Sequence, residues 1–557
     1  MLKNEWIPVR LRDGRREWVR PAALARPDVV AFDADRADFN GALAQFAIGL
    51  LQMVCAPGSQ AEWIVRWRKP LDEAKLHEAL SPWAAHFGFD GEGVRFMQDI
   101  ELRAADGDPV PIANLLIETP GENTLKNHGD HFVKRGQVGR MCPCCAALAL
   151  FTLQVNAPAG GAGHRTSLRG GGPLTTLLVP SDRVDAPRSL WHLLWLNVLP
   201  MSDFPRPDDP EALEEPHFKL PWLASIAAVQ SDGGSVAPVQ VHPLHVLWAM
   251  PRRIRLDFDA TEAGTCDLCH RPSERLVSRY VTRNYGLNYK GAWRHPLTPH
   301  YAVKDDALPM HPQPGGLGWR HWLGLVLGMD NDKRHITPAA VVSRFLGNPL
   351  LRGTDQSLRL WAFGYDMDNM KARCWYEATM PLYDLADGDA AALKWLREDI
   401  TLWLDGAERV LGYARSAVKD AWFGAEARGD FSHIDAAYWS ATEAMFYRML
   451  RETLAAARSG TAIEGEALRQ RWLTHLQSVA LRLFEQDLVG AGPIERQNPR
   501  RVAAAHHQLR ANLYGPKLRS ALALPTVAAP APRAARKTAA GAGSGARSRK
   551  PAGSTPA

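Results

Sequence analysis

Cys142-Pro-Cys-Cys145 and Cys266-Asp-Leu-Cys269 are two C-x-x-C pairs that stand far apart in the chain. Thiolates at this spacing can hold one metal ion from two sides, and two such pairs make the tetrahedral four-thiolate site that zinc most often occupies. The predicted ligands of one structural Zn²⁺ are Cys142, Cys145, Cys266 and Cys269. Cys144 is an alternative to Cys145, although C-x-C is the rarer ligand spacing. Four protein ligands leave no open position for water, so we expect this metal to build structure and not to catalyse.

The size and composition of the chain are those of an ordinary globular protein. It has 557 residues, of which 46% are apolar, enough for two or more domains with sizeable cores. Seven cysteines are few and odd in number, which favours a reducing compartment where thiols bind metal and do not form disulfides. No apolar run is long enough to span a membrane, and Met1-Leu-Lys-Asn-Glu-Trp6 does not resemble a signal peptide. We therefore expect a cytoplasmic protein that does not contact membranes.

Positive charge is concentrated near the C-terminus. The whole chain has a formal net charge of +6, and residues 521–557 contain six Lys and Arg residues and no acid, so residues 1–520 sum to zero. This balance argues against a globally basic nucleic-acid binder, and local patches would have to carry any such role. Residues 521–557 are rich in Ala, Pro, Gly and Ser, and we expect a disordered basic tail that adds non-specific, salt-sensitive affinity for DNA.

The rest of the sequence changes character at about residue 375. Residues 1–375 mix short apolar runs with Pro and Gly turns; the stretch 39–54 predicts a helix, whereas 175–179 and 239–242 predict strands. These features indicate an α+β fold. Its first part is a large, irregular mixed α/β N-terminal domain that contains the structural zinc site.

Residues 376–520 have the periodicity of long helices. One apolar stripe recurs every three or four residues from Leu396 to Ala417, and a second runs from Leu468 to Leu483. Asn498-Pro499 is a typical helix start, and Gly515-Pro516 is a typical helix end. Four long helices joined by short connections predict a C-terminal four-helix bundle.

Two stretches have compositions that suit nucleic acid. Residues 156–173 contain a glycine-rich run with His164, Arg165 and Arg169, where the missing Cβ atoms would let the backbone approach a partner closely. Residues 283–299 interleave Tyr and Trp with Arg and Lys, a combination that can stack on bases and pair with phosphates. The alternatives are a mobile surface loop for the first stretch and a hairpin with core aromatics for the second.

Two acidic groups leave a catalytic interpretation open. His128 and Asp130, with Asp366 and Asp368, could contribute to the site of a metal-dependent hydrolase. Neither group has a matching partner motif, and the chain contains no G-x-S-x-G, H-E-x-x-H or Walker motif. A hydrolase, or a zinc-stabilised scaffold without DNA contact, is thus an alternative to a protein that binds nucleic acid.

Taken together, these stretches resemble the CasA family, the large subunit of the type I-E CRISPR surveillance complex Cascade. The matching pieces, in order, are Trp6-Ile-Pro-Val9, the paired cysteine motifs, Ser167-Leu-Arg-Gly-Gly-Gly-Pro-Leu-Thr-Thr176, Trp293-Arg-His-Pro-Leu-Thr-Pro299, Gly364-Tyr-Asp366 and the C-terminal helices. The resemblance covers about residues 1–520. It implies a protein that is not an enzyme and that recognises the protospacer-adjacent motif (PAM) in double-stranded target DNA. It further implies that the protein helps to open the duplex for guide-RNA pairing, which forms the R-loop, and recruits a helicase-nuclease.

The resemblance also implies which residues contact DNA. The glycine loop of the family falls on residues 159–163, with DNA contacts at Gly160, Gly161, Ala162 and Gly163. The lysine finger of the family falls near Asn284 and Arg283, either of which could take its role by hydrogen bonding. The wedge of the family, at a hairpin tip, falls on Asp368, Asn369 and Met370.

Further partners are implied in the same way. A loop that reaches the 5′ end of the CRISPR guide RNA and the neighbouring subunit falls on Phe132, Val133 and Lys134. The other expected partners are the remaining Cascade subunits, including the small-subunit dimer, and the helicase-nuclease.

Overall fold

The computed structural model describes most of the chain. The described residues are 1–128, 130, 136–160, 163–180, 187–205, 213–226, 234–303, 306–331, 334–348, 358–368, 370–383, 390–423, 430–459, 464–492 and 498–525. In this part of the chain the strands are β1 (Ile7–Leu11), β2 (Arg16–Val19), β3 (Val29–Phe32), β4 (Val110–Pro111), β5 (Thr175–Pro180), β6 (Arg253–Leu256), β7 (Thr261–Thr265), β8 (Pro272–Val277), β9 (Arg279–Arg283), β10 (His300–Val303), β11 (Asp306–Pro309), β12 (Met329–Asn331), β13 (Arg334–Thr337), β14 (Leu358–Asp368) and β15 (Lys371–Leu382).

The α-helices of the same residues alternate irregularly with the strands at first and then follow one another. They are α1 (Ala37–Cys55), α2 (Gln60–Arg68), α3 (Glu73–Leu80), α4 (Glu122–Lys126), α5 (Pro143–Asn156), α6 (Leu190–Leu196), α7 (Pro216–Lys219), α8 (Trp322–Val326), α9 (Ala340–Gly347), α10 (Ala390–Trp422), α11 (Ser432–Arg458), α12 (Gly465–Arg482), α13 (Pro499–Leu513) and α14 (Pro516–Ala521). This order confirms a mixed α/β part followed by a helical part.

The described strands form five small sheets and no single large one. Their orders are β2-β1-β3, β4-β9-β6, β7-β8, β11-β10-β13-β12 and β15-β14-β5. Strand β5 confirms the prediction for residues 175–179, and it pairs antiparallel with β14. The strand predicted at 239–242 is wrong, because Pro238–Gln240 form a 3₁₀ helix. Pro238 and Pro243 fix their φ angles and lack N–H donors, so this short segment cannot sustain a ladder.

Tryptophan side chains fill much of the interior. Helix α1 is buried along most of its length and confirms the helix predicted at 39–54. Its Phe46 ring packs edge-on against Trp6 and Trp248, with ring centroids 5.1 Å and 5.8 Å apart. The tryptophans that are almost completely buried are Trp63, Trp67, Trp191, Trp195, Trp222, Trp248, Trp319, Trp322, Trp403 and Trp472. Most of these aromatics therefore serve the core and are not interface anchors.

The C-terminal part is helical, as the periodicity predicts. Helix α10 packs against α11, α12 and α13. Its apolar stripe is buried, namely Leu396, Ile400, Trp403, Ala407, Val410, Ala414 and Ala417. Helix α13 begins at the predicted position, where the Asn498 side chain accepts a hydrogen bond from the Arg501 N–H at 3.2 Å. Packing continues beyond residue 520, since Leu522 and Leu524 are buried.

Trp319 joins the helical part to the mixed α/β part. Its ring stacks on Phe446 of α11 with centroids 4.5 Å apart, and its Nε1 donates to the backbone oxygen of Trp439 at 3.0 Å. A buried aromatic contact of this kind fixes the position of one part against the other. In the described ranges, no helix has both the length and the apolar character that a membrane span requires.

Candidate functional site

The four predicted cysteine ligands lie together. Cys142 precedes α5 and Cys145 lies in its first turn, whereas Cys266 and Cys269 belong to the connection between β7 and β8. All four sulfur atoms lie within 4.8 Å of one another, and the Cys142 and Cys269 sulfurs are 3.7 Å apart. Zn–S bonds of about 2.3 Å in a tetrahedron separate two sulfurs by about 3.8 Å. The cluster could therefore hold a metal ion of the size of zinc.

Hydrogen bonds from the Asp267 side chain and between backbone groups hold the two cysteine pairs side by side. The Asp267 carboxylate accepts hydrogen bonds from the N–H groups of Gly139 and Arg140 at 2.8 Å and 2.9 Å. Met141 and Val277 exchange two backbone hydrogen bonds of 2.9 Å and 2.8 Å. These contacts hold the cluster from both sides and tie the start of α5 to the β7-β8 hairpin.

Cys144 does not belong to the cluster, so the geometry favours Cys145 over the alternative ligand.

Hydrogen bonds from the thiols of Cys142, Cys145 and Cys269 lower the pKa of Cys266. Hydrogen bonds to Cys142, Cys266 and Cys269 raise the pKa of Cys145. Close contact thus shifts the pKa values of these thiols in opposite directions, and the deprotonated thiolate is the form that binds metal.

The residues of the hydrolase alternative do not come together. Asp366 is buried, and both of its carboxylate oxygens accept hydrogen bonds from Arg373, at 2.7 Å and 3.0 Å. Asp368 lies 3.7 Å from the same guanidinium. Among the described residues, the cysteine cluster is the only group of three or more metal-type side chains within ligand distance. His128, Asp130, Asp366 and Asp368 therefore form no such metal cluster in this part of the chain.

The predicted glycine loop and the predicted finger are adjacent. The Tyr285 N–H donates to the backbone oxygen of Gly163 at 2.8 Å. Gly163 has a φ of +82°, and a Cβ atom there would lie 2.9 Å from the Tyr285 ring and 3.2 Å from the Asn284 Cβ. Asn284 itself is exposed to solvent. Gly161 and Ala162 lie outside the described residues.

Two arginine side chains lie next to the glycine loop and Tyr285. Arg252 is buried and donates to the backbone oxygen of Pro158, and burial lowers the pKa of its guanidinium to about 10. A Cβ atom on Gly160 would lie 2.6 Å from the same guanidinium. Arg165 lies over the Tyr285 ring, 5.6 Å from its centroid. Sequence reasoning missed Arg252, because its contact with the glycine loop spans 94 positions and leaves no local pattern.

Arg283, the other candidate for the finger, is exposed beside Asn284. Its guanidinium donates to the backbone oxygen of Asp106 at 2.7 Å.

The aromatic residues that follow differ in their exposure to solvent. Tyr285 is 50% exposed, whereas the Tyr289 hydroxyl accepts the Met250 N–H at 2.9 Å and Trp293 is buried. The expected core aromatics are therefore Tyr289 and Trp293, and Tyr285 is available to a partner.

Arg169 does not present its charge to a partner, contrary to its interpretation as part of a basic loop. Its Nη1 donates to the hydroxyls of Thr175 and Thr298 at 3.0 Å and 2.9 Å. Its Nη2 donates to the Gln45 side chain at 2.5 Å. Burial lowers the pKa of Arg169 to about 9. The buried side chain therefore links the glycine-rich segment to helix α1 and strand β5 through hydrogen bonds.

The same segment reaches the β14-β15 hairpin. Gly172 has a φ of +63°, and a Cβ atom there would lie 2.6 Å from the Cβ of Tyr365 in β14. At the hairpin tip Asp368 pairs with Lys371, and Met370 lies in the turn between the two strands. Met370 is 55% exposed, while Asn369 lies outside the described residues. Phe132, Val133 and Lys134 also lie outside the described residues.

Comparison with known proteins identifies the family. The family model described as CRISPR-associated protein Cse1 matches residues 1–483. The chain therefore belongs to the CRISPR-associated Cse1 family.

Solved structures share its fold at low sequence identity. CasA from Thermus thermophilus is 17% identical, with a TM-score of 0.64, over 92% of this chain and 98% of its own. Cse1 from Acidimicrobium ferrooxidans is 18% identical, with a TM-score of 0.59, over 93% and 97%. A chain of a CRISPR RNA-guided surveillance complex is 16% identical, with a TM-score of 0.61, over 92% and 98%. At these identities the likeness establishes the fold.

Proposed function

We propose that this chain is the large subunit of a type I-E CRISPR surveillance complex and that it reads the PAM of double-stranded target DNA. The observation that carries the proposal is the contact of Gly163 with Asn284 and Tyr285, with Arg165 over the Tyr285 ring and Arg252 next to Gly160. The family match supports membership of such a complex. The chain performs no chemistry in this role; it binds DNA and positions it.

The proposed reading mode follows from the residue types. A glycine backbone can enter the minor groove, where base pairs present a degenerate pattern of donors and acceptors. Asn284 can hydrogen-bond to base edges, and the Arg165 and Arg283 guanidiniums can neutralise adjacent phosphates. Reading in this groove tolerates several PAM sequences. Base pairing with the guide RNA then reads the rest of the target.

The hairpin tip is proposed to open the duplex next to the PAM. Met370 is apolar, flexible and exposed, so it can fill a partly unstacked base step. Asn369, which precedes it in the sequence, is proposed to contribute hydrogen bonds to base edges. Asp368 is repelled by phosphates and lies away from the DNA backbone in this arrangement. Unstacking one step costs a few kcal/mol, which pairing of the guide RNA offsets.

The remaining assignments rest on the family. Phe132, Val133 and Lys134 are proposed to contact the 5′ end of the guide RNA and a neighbouring subunit. The long C-terminal helices are proposed to form a four-helix bundle that faces other subunits, including the small-subunit dimer. Recruitment of a helicase-nuclease to the opened DNA completes the proposed role, in the cytoplasm.

The cysteine cluster is proposed to hold a structural Zn²⁺. Cys142, Cys145, Cys266 and Cys269 would supply four thiolates, and the 3.7 Å separation of two of the sulfurs suits that ion. Such an ion would fix the position of α5, whose C-terminal end leads directly into the glycine-rich segment. Its role would be architectural.

Gel-shift measurements on the assembled complex test the PAM proposal. Duplexes that differ only at the PAM are compared with Asn284→Ala, and with Lys290→Ala as a control on an exposed residue of the same segment. We expect Asn284→Ala to reduce PAM discrimination by about 5- to 100-fold. Lys290→Ala should leave discrimination unchanged. If the wild-type complex binds all the duplexes equally, the chain is a scaffold and the proposal fails.

A further inference from the structure

The last 60 residues of the sequence contain basic side chains and no acidic ones. Residues 498–557 contain eleven Lys and Arg residues and no Asp or Glu, whereas the whole chain has a net charge of +6, so residues 1–497 carry −5. The structure describes the first part of this acid-free segment, residues 498–525. Five of the eleven cations lie there, at Arg500, Arg501, Arg510, Lys517 and Arg519.

Helix α13 turns one face to the protein and the other to solvent. Its buried residues are Ala505, Leu509 and Leu513, which pack against the neighbouring helices. On the opposite side, Arg500, His507 and Arg510 are exposed at the spacing of one helix face. Arg500 and Arg510 are ten residues apart and therefore about 15 Å apart along the helix. Ala503, Ala504 and Ala511 are also exposed on this side of the helix and add no bulky side chains to it.

The cations of this face are not neutralised by the described protein. Within the described ranges, no carboxylate forms an ion pair with Arg500, Arg510 or Lys517. Glu485, an acid that does contact the helix, accepts a hydrogen bond from His506 at 2.7 Å instead. Arg510 lies over the Tyr514 ring, 5.5 Å from its centroid, and that ring is 56% exposed. An arginine stacked on an exposed aromatic ring offers charge and a flat surface at one place.

Two of these cations oppose the dipole of their own helix. Arg500 and Arg501 occupy the first turn of α13, where the positive end of the helix dipole disfavours cations. No described acid compensates for them. A local rule that is broken without structural gain is typical of residues that serve binding.

We propose that the exposed face of α13, with Tyr514 and Lys517, is a binding surface for the phosphate backbone of nucleic acid that reads no sequence. The absence of acids over 60 residues provides the charge complementarity. A lipid surface fits less well, because the apolar side of the helix is buried in the protein and cannot enter a membrane. This surface does not depend on PAM reading and uses none of the residues near Gly163.

Salt-dependent binding of the full chain to a fluorescent duplex of random sequence tests the proposal. The triple variant Arg500→Gln, Arg510→Gln, Lys517→Gln should flatten the slope of log affinity against log salt by about 2 to 3, because each lost phosphate contact removes about 0.9. The matched control is Arg409→Gln, Arg448→Gln, Arg451→Gln, which removes the same charge from exposed positions of α10 and α11. Equal effects of the two triple variants would overturn the proposal, since net charge alone would then account for binding.

Two further arms separate other sources of affinity. In a chain that ends at residue 525, the triple variant should still weaken duplex binding; loss of that difference would assign the affinity to residues 526–557 and overturn the proposal. Vesicles containing phosphatidylserine should compete poorly with the duplex at equal salt; preferential vesicle binding would overturn it in favour of a membrane. In the assembled complex, the triple variant should retain the wild-type PAM preference, and a changed preference would also count against a surface that reads no sequence.

Discussion

Backbone conformation at two residues builds the candidate DNA interface. Tyr285 has a φ of 61°, which is rare for a bulky residue, and its N–H bonds to the Gly163 oxygen. Gly163 has a φ of +82°, which favours glycine, and a side chain there would collide with the tyrosine ring. Strain at an exposed aromatic residue is a local cost that binding sites commonly bear.

Gly163→Ala should therefore impair DNA binding by the assembled complex. The new Cβ atom would lie 2.9 Å from the Tyr285 ring and must displace it, so we expect affinity for a PAM duplex to fall by about tenfold or more. The control is Gly14→Ala, where φ is +88° and no atom lies within 4 Å of the new Cβ. It should cost about 1 kcal/mol of stability and leave DNA binding unchanged. Unaltered affinity in Gly163→Ala would contradict the placement of this loop against DNA.

Serine substitutions at the neighbouring residues Cys145 and Cys144 test the proposed zinc site. Purified wild-type chain should contain one zinc ion by elemental analysis. Cys145→Ser should lose the metal and lower the unfolding midpoint by about 5 °C or more, because metal-binding energy is folding energy here. Cys144→Ser, one position away and outside the cluster, should keep the metal and the wild-type unfolding midpoint. Wild-type protein that is purified without chelators and contains no zinc would refute the assignment.

At the scale of elements, local patterns were predictable and long-range contacts were not. The stripe from Leu396 to Ala417 identifies helix α10, because one buried face repeats with the helical period. The clustering of the four cysteines was predictable because the ligands of one metal ion recur at C-x-x-C spacing. Arg169 was interpreted wrongly because its partners Gln45 and Thr298 lie 124 and 129 positions away. Nothing near Arg169 in the sequence signals that its charge is buried.

The β14-β15 hairpin yields a prediction about strand opening. Changing both Asn369 and Met370 to Ala should slow R-loop formation on fully duplex targets, since the exposed Met370 side chain would no longer enter the base step. Targets melted beforehand next to the PAM should be much less affected, because no wedge is needed there. Lys371→Ala is the control at the same tip, and it should act alike on both targets. Equal losses for the double variant on the two targets would mean that the tip maintains the fold or reads sequence.

At the scale of the molecule, buried histidines couple stability to pH. Burial lowers the pKa of His192, His245 and His300 to about 4, with nearby arginines adding to the effect for His192 and His300. The same groups titrate near 6.5 when the chain is unfolded. Between these values the unfolded chain binds more protons, so stability falls as pH drops from about 6.5 to about 4.

Chemical unfolding at several pH values measures this effect. The midpoint concentration of urea should be lower at pH 5 than at pH 7. Acid also protonates thiolates and would release the zinc ion proposed for the cysteine cluster, so Cys145→Ser serves as the control for that contribution. The variant should keep a downward trend with acid, and a flat profile would attribute the whole pH dependence to the metal centre.

The cysteine cluster also sets an order of events during synthesis. Cys142 and Cys266 are separated by 124 positions. A ribosome that adds about 5–20 residues per second leaves the first pair waiting for about 6–25 s until the second pair emerges. During that interval the start of α5 has no hairpin to bond to, and a two-thiolate half-site holds metal weakly. Under the proposed assignment, a metal ion held by all four thiolates can therefore bind only after residue 269 has left the ribosome, and the folding of α5 against the hairpin waits for the same event.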